Sequence, residues 1–75
     1  MSTSYIDPAL AIDPIRQYYA AMDSVNLINF LRAKPSLTEK EQESIDRNVR
    51  CLKIMVTKDY WTTQDLAPLK AAIQA

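Results

Sequence analysis

Not one of the 75 residues is glycine, although average usage would put about five in a chain of this length. Glycine occupies positive φ without steric cost, so its absence makes two-residue type I′ and II′ hairpins hard to build. It also excludes the P-loop and the Rossmann phosphate turn, which need glycine for close backbone approach. A chain under that restriction is built most readily from helices that stop at proline, asparagine or aspartate. This sequence carries such breaks, with prolines at 8, 14, 35 and 68.

Little besides helix packing can hold such a chain together. Its length encloses one small core, so a single helical domain over residues 1–75 is expected. The lone cysteine, Cys51, permits no intrachain disulfide, and with no histidine there is no Cys/His zinc cluster. The opening MSTSYIDPAL has neither the basic nor the apolar region of a signal peptide, and no apolar run approaches a membrane span.

Residues 1–6 read as frayed. Asp7-Pro8 and Asp13-Pro14 are both N-cap/N1 pairs, in which the carboxylate accepts orphan N–H groups and proline has none to lose. They cannot lead one continuous helix, because Pro14 would then break it from inside. The expectation is a short helical turn over 8–12 and a first proper helix over 14–22, with Ile15, Tyr18, Tyr19 and Met22 inward. A second helix over 24–33 presents Leu27, Ile28 and Leu31, widened by Val25 and Phe30, and Pro35 ends it. In one straight helix these two stripes would point nearly opposite ways. A break at Asp23-Ser24 is therefore expected.

The third helix, 39–58, opens on a capping box formed by Thr38 and Glu41. Acids crowd its start and bases its later turns, which suits the macrodipole. Glu43–Arg47 and Asp46–Arg50 have the favourable i, i+4 order, and Ile45, Val49, Leu52 and Val56 form the core seam. A short final helix over 66–74, capped by Asp65, turns Leu66, Leu69 and Ile73 inward. The fold class is thus all-α, a small bundle of three main helices plus a short C-terminal helix.

No catalytic apparatus emerges. Ser/His and Cys/His pairs need a histidine, the carboxylates of the third helix read as caps and ion-pair partners, and Cys51 reads as a small packing residue. No catalytic, cofactor-binding or metal-binding residues are expected, and no enzyme, small-molecule substrate or membrane partner. Nine Lys/Arg against nine Asp/Glu leave no overall basic footprint for nucleic acid. A helix-turn-helix would present Glu39, Glu41 and Glu43 to phosphates, so a DNA-binding regulator ranks third.

Two features remain. Tyr60 and Trp61 stand at the corner after the third helix, where aromatics bury their rings and keep a polar tip. The plug reading is preferred there over a recognition role. On the third helix, Cys51 and Ile54 lie off the seam, on the side of Arg47, Arg50 and Lys58. Either other helices cover both sides of that stretch, the preferred reading, or Ile54 with its basic rim contacts a partner. The candidate partner-binding residues are Arg47, Arg50, Ile54, Lys58, Tyr60 and Trp61. The expected function is a small non-enzymatic protein-interaction module, an adaptor or inhibitor presenting a helical face to another protein. The alternative is a self-associating structural subunit that binds a second copy of itself, as in a phage particle. Small size and absent catalytic groups give the chain the general look of bacterial and phage accessory proteins, a likeness that covers no motif. With it goes an expected cytoplasmic setting, in the bacterium or an infected host cell.

Overall fold

The computed structural model describes residues 13–74. The expectations for 1–6 and for a helical turn at 8–12 lie outside the described residues. Three helices form, α1 (Pro14–Arg32), α2 (Glu39–Met55) and α3 (Ala67–Gln74), and each packs against the other two. Among the described residues there is no strand.

The start of α1 follows from Asp13-Pro14. Asp13 is extended at φ −100°, and its Oδ1 accepts from the Ile15 amide at 2.9 Å, with proline at the first helical position. From there α1 runs for 19 residues without the expected break at Asp23-Ser24. The separate helices over 14–22 and 24–33 are one. No proline falls between Pro14 and Arg32, and Asp and Ser each cost only about 0.5 kcal/mol in a helix interior relative to alanine. A break would instead orphan several backbone groups on each side. Continuity wins.

The consequence is a different inward face. Ala21, Val25, Ile28 and Leu31 are buried, with Tyr18 and Met22 packed beside them. Ile15 and Tyr19, expected inside, are 57% and 67% exposed, and Leu27 and Phe30 also face outward. The premise that both stripes must face one core was wrong. A straight helix buries one arc and leaves the other in water.

The start of α2 forms as expected. Thr38 Oγ1 accepts from the Glu41 amide at 3.1 Å, and Glu41 Oε1 accepts from the Thr38 amide at 2.9 Å. Ile45 and Leu52 are buried on the seam, and Val49 and Val56 are half-buried. Neither Glu43–Arg47 nor Asp46–Arg50 closes within 4.0 Å; Asp46 Oδ1 accepts from Gln42 Nε2 at 3.1 Å. Exposed i, i+4 pairs are worth only about 0.2–0.5 kcal/mol, too little to fix two long side chains.

Helix α2 ends at Met55, short of the expected Lys58, and no proline, asparagine or aspartate stops it. The Thr57 hydroxyl donates to the Ile54 carbonyl at 2.7 Å, and Trp61 Nε1 donates to the Met55 carbonyl at 2.8 Å. The same two carbonyls also accept the Thr57 and Lys58 amides at 3.1 Å, while the cap residue Val56 stays right-handed at φ −68°. No described residue has positive φ. A tightened last turn of backbone bonds, reinforced by two side-chain donors, is how a chain without glycine closes this helix.

In α3 Asp65 Oδ1 accepts from the Ala67 amide at 3.0 Å. Leu69 and Ala72 are the buried residues, and Leu66 and Ile73 are only half-buried. Two hydrogen bonds set its direction. The Tyr18 hydroxyl, near the start of α1, donates to the Asp65 carbonyl at 2.8 Å, and Arg32 Nη1, at the end of α1, donates to the Ala72 carbonyl at 2.7 Å. So α1 and α3 run the same way. Trp61, just past α2, meets the Tyr18 ring, which makes α2 antiparallel to α1. Ile28, Leu52 and Leu69 are fully buried, one from each helix, and each is worth about 1.5–3 kcal/mol of apolar burial.

Candidate interaction surface

The sequence marks two places, and the structure treats them differently. Tyr60 and Trp61 lie in the connection from α2 to α3, both half-buried. Their rings meet edge-on with centroids 4.8 Å apart, and Trp61 also meets the Tyr18 ring at 6.2 Å and 84°. Edge-to-face contacts of this kind add about 0.5–1.5 kcal/mol beyond burial. With the indole N–H on Met55 and the Tyr18 hydroxyl on Asp65, the cluster joins three segments. This is the geometry of a plug.

The outer side of α2 has no such cover. Ile54 is 58% exposed, and Arg47, Arg50 and Cys51 are exposed on the same side. At about 100° per residue, Arg50 stands between Ile54 and the turns that carry Val49 and Lys53. The expectation that other helices wrap both sides of this stretch is therefore wrong: among the described residues α1 and α3 are the two helices that pack on α2, and they leave this side exposed. Cys51 is an exposed free thiol, not the packing residue expected. Lys58 is exposed too, but it follows the end of α2 and stands in the turn, its amide bonded to the Met55 carbonyl at 3.1 Å. Arg47, Arg50 and Ile54 thus share one helical face, Lys58 flanks it, and Tyr60 and Trp61 belong to the plug.

Beside this face lies a cleft that sequence reasoning missed. It encloses about 500 Å³ between the end of α1, the α1–α2 connection, α2 and the end of α3. Leu37, Val49 and Ile73, half-buried, make its floor over the buried Ile45, and Arg32, Arg50 and Lys53 stand around it. Gln42 and Asp46 line it too, on the earlier turns of the same arc of α2. From Arg47 to Lys58 the sequence has Arg47, Arg50, Lys53 and Lys58 and no acid, the one signal that pointed here. The floor was invisible, since it comes from three elements whose mutual placement the sequence does not state.

Further round the bundle, Lys34 pairs with Glu41 and also lies 5.7 Å from the centre of the Phe30 ring. The Lys34 ammonium, followed by the Thr38 amide, holds the Glu41 carboxyl below its ordinary value. Among the described residues no group of three or more His, Cys, Asp or Glu could hold a metal ion, and no helix is long and apolar enough to cross a membrane. Compared with family models, curated proteins and solved structures, the chain matches none.

Proposed function

We propose that this chain is a small protein-interaction module, an adaptor or inhibitor that works by presenting the outer face of α2 to another protein. The observation that supports this reading is Ile54, 58% exposed among the cations Arg47 and Arg50 on a helix whose opposite side is buried in the core. An apolar centre with a charged rim is the ordinary anatomy of an interface. The test is affinity capture from the native cell with the wild-type chain and Ile54→Asp in parallel. A protein retained by the first and lost by the second, with both folded, supports the reading; identical capture overturns it.

A second reading, self-association, has its own observation. Ile15, Tyr19, Leu27 and Phe30 leave a second apolar face open on α1, away from the core. Large apolar side chains exposed together on one helix face favour contact with another surface. Sedimentation separates the two. A monomer at micromolar concentration leaves the adaptor reading standing, whereas a discrete oligomer that Phe30→Asp disperses moves the function to the structural subunit.

A further inference from the structure

We propose that the cleft between Arg32, Leu37, Val49, Arg50, Lys53 and Ile73 binds an acidic segment of a partner protein, with an apolar side chain of that segment seated on its floor. The proposal deepens the interaction-module reading and rests on it.

Charge complementarity comes first. None of Arg32, Arg50 and Lys53 has a carboxylate within 4.0 Å among the described residues. Arg32 is half-buried and held in place by its Nη1 bond to the Ala72 carbonyl, while Arg50 and Lys53 are exposed. The one carboxylate on the rim, Asp46, accepts from Gln42 and lies at i−4 from Arg50 without closing an ion pair, so the rim carries three cations against one anion. The rim as a whole is therefore net positive.

The floor narrows the class of ligand. Leu37, Val49 and Ile73 offer a partner apolar contact that a phosphate or a sugar does not use. Nucleic acid would also meet Glu39 and Glu43 on the first turns of the same helix, where like charge opposes it. Length narrows it again. A free anion would need the cleft alone, whereas the surface continues over Arg50 to the exposed Ile54. A polypeptide can straddle Arg50, placing one apolar side chain in the cleft, another on Ile54, and carboxylates between. An amphipathic acidic helix carries apolar and acidic side chains on one face through its i, i+3 and i+4 positions, the combination this surface would take.

The probe is a short fluorescein-labelled amphipathic peptide of glutamate and leucine, titrated with the whole chain and followed by anisotropy. Three controls run beside it: the peptide with lysine for glutamate, the peptide with glutamine for leucine, and a labelled DNA duplex. The acidic amphipathic peptide should bind best, more weakly as salt rises. The double variant Arg50→Glu/Lys53→Glu should weaken it at least about tenfold. That variant must match the wild type in circular dichroism and melting. If it does not, Arg50→Gln/Lys53→Gln replaces it, with the same direction expected. Equal binding of the lysine or the glutamine peptide, tighter binding of DNA, an unaffected double variant, or no binding of any probe overturns the proposal. The two levels separate cleanly. No peptide binding, together with a partner still lost from Ile54→Asp, removes the cleft and leaves the module. Peptide binding with unchanged capture by Ile54→Asp removes the Ile54 reading and leaves the cleft.

Discussion

Trp61 and Ile54 are the large apolar residues at the two places the sequence singles out, and they have opposite surroundings. Trp61 has a hydrogen-bond partner for its N–H and two aromatic rings at its edges. Ile54 has water on more than half its surface, and no ion pair forms at the neighbouring Arg47 and Arg50 among the described residues. The difference lies in how completely each site satisfies itself. A polar tip already spent on the fold marks structure, because a partner would have to break that bond to use it. An apolar side chain left open beside unpaired charge has contact still to make.

The largest expected effect falls on the plug. Trp61→Ala should destabilise by about 3 kcal/mol, the lower end of the range for truncated core aromatics, because the ring is half-buried. Denaturant unfolding reads this directly, and a loss much under 1 kcal/mol would move Trp61 from structure to recognition. In a chain of this size the predicted loss approaches the whole stability.

A middle-sized effect sharpens the contrast within α2, where side chains reinforce both ends. Thr38→Ala should cost about 1 kcal/mol, since it removes a local cap and no packing. Glu41 adds a pH dependence. Its carboxyl is held below the ordinary value, so its contribution is present at neutral pH and is lost as pH falls through the lowered folded value. Glu41→Gln keeps a side-chain acceptor for the Thr38 amide and should flatten that part of the acid-stability curve. An unchanged acid limb in the variant would remove Glu41 as its source.

The smallest stability effect is expected at Ile54. Ile54→Asp should stay within about 0.5 kcal/mol of wild type, as exposed substitutions do. A melting temperature that collapses would mean that the site is covered in solution, and the comparison with Trp61 would fail.

What could be read from the sequence follows the range of the interactions. The capping box at Thr38 and Glu41, the Asp13-Pro14 start and the Ile45–Leu52 seam depend on residues a turn or two apart, and spacing alone located them. The end of α2 was misjudged because Trp61 reaches back to Met55 from beyond the helix. The break at Asp23-Ser24 was misjudged for a different reason. It assumed that Ile15, Tyr19 and Phe30 must be inside, and backbone continuity outweighed their burial. The cleft needed the parallel placement of α1 and α3, fixed by Tyr18–Asp65 and Arg32–Ala72 bonds that no periodicity reveals.

The right-handed backbone at both observed helix ends has a consequence for the unfolded chain. Ala33 caps α1 at φ −78° and Val56 caps α2 at φ −68°, positions open to any L-residue. An unfolded chain without glycine samples fewer backbone states, by about 0.4–1 kcal/mol for each glycine replaced at a compatible site. Against the roughly five glycines of average composition, that amounts to about 2–5 kcal/mol less disorder to overcome on folding. It arises in the denatured ensemble and corresponds to no contact in the fold. A chain too small for a large core, and without a disulfide, thereby gains stability from the narrowness of its alternatives.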